Sequence, residues 1–132
     1  MTLLSRLVIQ HHISSSLNSE LCRQLMNLGR DEFDSLVSLA STNHVIVRGF
    51  EVFVRIAQQE GNNPRLEWAQ EALRVEQARI ANAISFLEEI CAAFDEEKCD
   101  VTVIKSLDHW PDLGSDLDLY TNATSDNVIS LM

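Results

Sequence analysis

No apolar run in the chain approaches the ~20 residues that a helix needs to cross a bilayer, which excludes a membrane-spanning helix. Paired cysteines are missing as well. Cys22, Cys91 and Cys99 form an odd set without CxxC spacing, which argues against a disulfide framework and a thiolate zinc site. Cys91 falls in an apolar helical pattern and reads as a small buried hydrophobe. The apolar stretch Met1 to Gln10 lacks a small-residue cleavage site after it, so no secretory signal is read and the expected location is the cytoplasm. There is also no Gly-rich Walker loop, Ser-His-Asp order or His-Glu-x-x-His motif.

Positive charge is scarce, and increasingly so along the chain. Residues 1–30 hold three Arg and one Glu (+2), residues 31–94 five Arg and ten acids (−5), and residues 95–132 two Lys and nine acids (−7). Such a surface repels a phosphate backbone, so sequence-independent nucleic-acid binding is disfavoured. An acidic end poor in cations suits divalent metal, although a solvated acidic loop has the same composition. A hydrophobic fraction of 45% and 132 residues allow one globular domain with a core.

The expected fold class is α+β. A helical region over 1–95 precedes the start of a strand-bearing core over 96–132. Leu3, Leu4, Leu7, Val8 and Ile13 mark a first helix, ending near Ser14-Ser15-Ser16. Asn18 or Ser19 can cap a second, with Leu21, Leu25 and Leu28 on one face and Gly29 past its end. Phe33, Leu36, Val37 and Ala40 give a third. Val45 to Gln59 is β-branched enough for strands, but Ile46, Gly49, Phe50, Phe53, Val54 and Ala57 follow helical steps. Asn63 as N-cap and Pro64 at the first position open the longest helix, to about Phe94. Its stripe of Leu66, Ala69, Leu73, Ile80, Ile84, Leu87, Cys91 and Phe94 is near-heptad. It allows a homodimeric coiled coil, or more simply a scaffold helix packed on its neighbours.

The character then changes. Val101-Thr102-Val103-Ile104 has a buried-strand signature, and Leu117, Leu119 and Thr121 alternate with Asp116, Asp118 and Tyr120 as in a second strand. Thr124 or Ser125 can cap a last helix. Asp116 and Asp118, two apart on a strand, would project from one face and could hold a hard cation such as magnesium. Two such ions about 3.5–4 Å apart can clamp the attacking and leaving oxygens of a phosphoryl transfer. Gly114-Ser115 gives a flexible entry with a hydroxyl. Lys105-Ser106, directly after the first strand, puts an ammonium and backbone amides where phosphates could sit. Trp110 could stack on a base beside His109, although with Pro111 it reads better as an anchor of the loop. His11-His12 reads as a surface pair.

The order strand, Lys105-Ser106, loop, Gly114-Ser115-Asp116-Leu117-Asp118-Leu119-Tyr120 resembles the DNA polymerase beta-type nucleotidyltransferase superfamily. In particular, it is similar to the uncharacterised bacterial nucleotidyltransferase family with a helical N-terminal region. The resemblance runs from about Asp31, with Asp31 to Gln59 as the helical lead-in, and its specific part is Gly114 to Tyr120. It implies the first two strands of a mixed sheet, Asp116 and Asp118 as metal ligands, and Lys105 and Ser106 at that family's Lys-Gly position facing nucleotide phosphates. The implied reaction moves a nucleoside monophosphate from a nucleoside triphosphate such as ATP to an unknown hydroxyl acceptor, with Mg2+. That superfamily places a third carboxylate on a later strand, and Asp112 and Asp126 lack that context. The expectation is therefore either a longer protein or an inactive nucleotidyltransferase-like module serving protein interaction.

Overall fold

The computed structural model describes residues 2–12, 19–61 and 63–131. The order is α1 (Leu3–His12), α2 (Ser19–Met26), α3 (Arg30–Thr42), α4 (Ile46–Gln59), α5 (Pro64–Glu96), β1 (Val101–Ile104), β2 (Asp118–Thr121) and α6 (Ser125–Leu131). The class is α+β, with a helical N-terminal region and two strands. No helix among the described residues is long and apolar enough to cross a membrane. Ile13, Ser14-Ser15-Ser16 and Asn18 lie outside the described residues, as do the side chains of His11 and His12.

The chain forms two compact units, Met1–Ala78 and Arg79–Met132, so the division falls within α5. In the first unit α4 is the most buried element. Ile46, Val47, Phe50, Val52, Phe53, Ile56 and Ala57 are all enclosed, a wider face than the expected stripe, on which Val54 is only half-buried. The helical reading of this β-branched segment holds because neighbours cover that whole face. Leu4 and Leu7 of α1, Leu21 and Leu25 of α2, and Phe33, Leu36 and Ala40 of α3 share its core, together with Ala69. Phe33 is the hub of the rings: its centroid lies 5.7 Å from both Phe50 and Phe53, edge-on, and 5.5 Å from Trp68. Such pairs add about 0.5–1.5 kcal/mol each beyond burial.

The α5 stripe is spent inside the chain, as a scaffold helix requires. Leu66, Ala69 and Leu73 join the first core, and Ile80, Leu87 and Phe94 are buried in the second unit. Asn63 caps this helix, its Oδ1 accepting the Arg65 N–H at 2.9 Å, with Pro64 as the first helical residue.

Helix ends hold most of the differences from expectation. Gly29 does not close α2. It has extended backbone (φ −73°, ψ 167°) and is the N-cap of α3, where the Glu32 carboxylate accepts its N–H at 2.8 Å. Arg65 Nε instead satisfies the Leu28 carbonyl near the end of α2, at 2.8 Å. Thr124, not Ser125, caps α6. Two further helices stop in Schellman motifs built on residues other than glycine. At the end of α3, His44 (φ 51°) donates to Ser41 O and Val45 to Ala40 O; at the end of α5, Lys98 (φ 55°) donates to Asp95 O and Cys99 to Phe94 O.

A β-carbon in the left-handed region is strained, while glycine is at ease there. His44→Gly and Lys98→Gly are therefore expected to stabilise the chain by about 0.5–1 kcal/mol each, after glycine's greater unfolded-state entropy is counted. The urea midpoint checks this, and an unchanged or lowered midpoint would count against strained caps.

A second check concerns Cys22. Burial pushes its thiol up, and the nearby Glu60 charge adds to that. The thiolate fraction is thus lower than in a free thiol, and at pH 8 Cys22 should alkylate more slowly than glutathione under the same conditions. Mass spectrometry of the modified peptide reads the rate.

Candidate functional site

All the candidate site residues lie in the second unit, around one short ladder. β1 and β2 pair antiparallel, with Val101 opposite Thr121, Thr102 opposite Tyr120, Val103 opposite Leu119 and Ile104 opposite Asp118. Val101, Val103, Leu119 and Thr121 form the half-buried side; Thr102, Ile104, Asp118 and Tyr120 form the exposed one. The expected buried β1 is thus corrected to a strand with one open face, Ile104 being 38% exposed. A two-stranded ladder can cover only one side.

β1 ends in a tight reversal. The Ser106 N–H donates to Ile104 O at 2.7 Å, a three-residue turn with Lys105 at its centre at φ 60°. That left-handed backbone is unusual for lysine, and strain of this kind costs about 1–3 kcal/mol when the surroundings hold it. The Ser106 hydroxyl is the holding element. It donates to Ile104 O at 3.2 Å and accepts the Asp118 N–H at 2.8 Å. The turn after β1 and the first residue of β2 are thus tied together. Ser106 is a brace here, because both its N–H and its hydroxyl are turned toward Ile104 O.

The segment between the strands continues as i→i+3 turns, with Asp108, Trp110 and Asp112 N–H groups donating to the carbonyls of Lys105, Leu107 and His109. The Trp110–Pro111 peptide is cis. At the far end Arg79 of α5 clamps the chain, donating to Leu113 O at 2.6 Å and to Gly114 O at 3.3 Å. Leu113 and Asp112 are buried there. Trp110 is 59% exposed, so the expected anchoring role is corrected: Leu113 and Arg79 hold the loop instead.

The acids are placed less symmetrically than a continuous strand would place them. β2 starts at Asp118, so Asp116 precedes it in irregular chain, and the same-face argument does not reach it. The reason is the ladder's length. β1 turns away after Ile104, the partner of Asp118, and nothing remains for Asp116 to pair with. Asp116, Asp118, Ser115 and Lys105 are all exposed, and Gly114 is half-buried. Among the described residues no three His, Cys, Asp or Glu side chains group as a metal site. Of the other acids, Asp126 is exposed on the first turn of α6 and Asp112 is buried.

The donor set is two accessible carboxylates, all oxygen. That suits Mg2+, which keeps several waters and takes one or two carboxylates plus substrate phosphates. Tyr120, the last residue of the motif, is 65% exposed on the same ladder face as Asp118, as the period-two alternation of Asp118 and Tyr120 implies.

No protein-family model, no curated protein and no solved structure matches the chain.

If the brace is the contact described, Ser106→Ala removes the acceptor from the Asp118 amide and should cost about 1 kcal/mol, with faster hydrogen exchange at that amide. Ser106→Thr should keep the slow exchange. Equal exchange in wild type and Ser106→Ala would show that the tie does not hold the strand.

Proposed function

We propose that the second unit carries a nucleotidyltransferase-like site that binds a magnesium–nucleoside triphosphate and transfers the nucleoside monophosphate to a hydroxyl acceptor. The observation that carries the reading is the hydrogen bond from the Asp118 N–H to Ser106 Oγ. Through it the Lys105-Ser106 turn and the Gly114-to-Tyr120 segment, distant in sequence, become one local structure. The support is therefore the resemblance of these two motifs together with their juxtaposition.

In this reading each residue has a separate task. Asp116 and Asp118 are the oxygen ligands. Lys105 brings an ammonium to the phosphates from the turn, and Ser115 offers a hydroxyl beside the half-buried Gly114. Ser106 positions the turn and Asp118 beside the phosphates. Mg2+, when bound, neutralises charge on the phosphate oxygens. The chain's own work is to bind and orient, since phosphoryl-type transfer depends mainly on positioning and charge. The cytoplasm, where reduced thiols and nucleoside triphosphates coexist, is the proposed setting; Cys22, Cys91 and Cys99 are all free.

A second reading has its own observation. Phe86 is 63% exposed on α5 and is accessible to a partner. With two acids rather than three at the site, the unit would then be an inactive nucleotidyltransferase-like module serving protein interaction.

Calorimetry with Mg2+ and a non-hydrolysable ATP analogue separates the readings. Binding is expected for the wild type, with at least a tenfold loss in Asp116→Ala/Asp118→Ala. A nucleotide affinity that survives the double substitution intact sinks the assignment, and no binding by the wild type favours the inactive module.

A further inference from the structure

One of the two candidate acids lacks the support of the ladder. β2 begins at Asp118, and Asp116 lies in irregular chain two residues earlier. Its carboxylate is therefore placed by whatever holds the backbone on either side. On one side Ser106 Oγ accepts the Asp118 N–H at 2.8 Å. On the other, the Arg79 guanidinium donates to two consecutive carbonyls, Leu113 O at 2.6 Å and Gly114 O at 3.3 Å. Only Ser115, Asp116 and Leu117 lie between the two ties.

Packing does little of this work at Gly114. A β-carbon built there would meet no neighbouring atom within 4 Å, so no wall of side chains confines the peptide. Leu113, 1% exposed, fixes the chain just before it. Arg79 is exposed, but the next residue of α5, Ile80, is buried and holds the backbone from which the guanidinium reaches. A planar fork with donors on both arms can take two adjacent carbonyls at once. An ammonium on a flexible stem does not impose that geometry.

We propose that Arg79 is a positioning residue that holds Asp116 at a fixed spacing from Asp118 and thereby sets the site's preference for Mg2+ over Ca2+. The proposal rests on the nucleotidyltransferase-like reading of the two acids. Mg2+ demands near-octahedral geometry at about 2.0–2.1 Å, whereas Ca2+ accepts six to eight oxygens in flexible arrangements at about 2.3–2.6 Å. With one tie released, the Asp116 segment can still adapt to the larger ion but no longer meets the stricter demand of the smaller one. In this role Arg79 touches neither metal nor nucleotide; it acts through the Leu113 and Gly114 carbonyls.

Calorimetry on the full chain with a non-hydrolysable ATP analogue, once with Mg2+ and once with Ca2+, is the test. Arg79→Gln is expected to lower the Mg2+-supported affinity about tenfold, the scale usual for a group that orients a metal ligand, and the Ca2+-supported affinity less than about twofold. Arg79→Lys should fall between the wild type and Arg79→Gln with Mg2+. Arg74→Gln, an equal loss of charge at another exposed arginine of α5, should leave both affinities as in the wild type. Equal losses with the two cations in Arg79→Gln would mean general loosening of the unit. An unchanged Mg2+ affinity would mean that Asp116 needs no clamp. Either result overturns the proposal and leaves the two acids as ligands. If the wild type does not bind, or Asp116→Ala/Asp118→Ala binds as the wild type does, the acids are not ligands and the proposal falls with them. Should Arg79→Gln melt below the assay temperature, the same comparison of cations on Arg79→Lys decides.

Discussion

The apolar stripe of α5 is the constraint on which both units depend, because a 33-residue helix has to hide one face along most of its length. Leu66, Ala69 and Leu73 are covered by the first unit's helices; Ile80, Leu87 and Phe94 are buried in the second. With one face committed in this way, the remaining surface of α5 is left for polar contacts. Arg79 uses it to clamp the loop before β2, and Arg65 uses it to satisfy the Leu28 carbonyl near the end of α2. One helix thus contributes to two cores and presents chemistry in each unit.

The second unit has little sheet with which to fix a site. Two of the four ladder pairs form a half-buried side, and the other two an exposed side that carries Asp118 and Tyr120. Position is supplied by side chains instead: the Ser106 hydroxyl at the start of the connecting segment and the Arg79 guanidinium at its end. The Ser106 hydroxyl joins the turn after β1 to the first residue of β2.

How far the sequence could be read depended on whether a signal was local. Asn63-Pro64 was legible because cap and first-turn chemistry involve adjacent residues only. The α5 stripe was legible because burial repeats at helical spacing over many turns. Gly29 was misread, since a glycine between two helices can end the first or cap the second, and the Glu32 carboxylate decides. The stops at His44 and Lys98 carry no glycine, and only the return hydrogen bonds to Ala40 and Phe94 reveal them. At the candidate site the two motifs and their neighbourhood were legible. The strand limit between Asp116 and Asp118 was not, because it is set by where the partner strand turns, at Lys105, a dozen residues upstream.

The centrality of α4 has a consequence for how the chain is made. Leu4 and Leu7 of α1 are buried in a core to which α4 contributes most, and α1 packs directly on α4, whose residues emerge from a ribosome tens of positions later. At about 5–20 residues per second, the first helix spends seconds with its leucines uncovered before its covering surface exists. Of the helices that α4 covers, α1 is thus the one that waits longest for its partner surface.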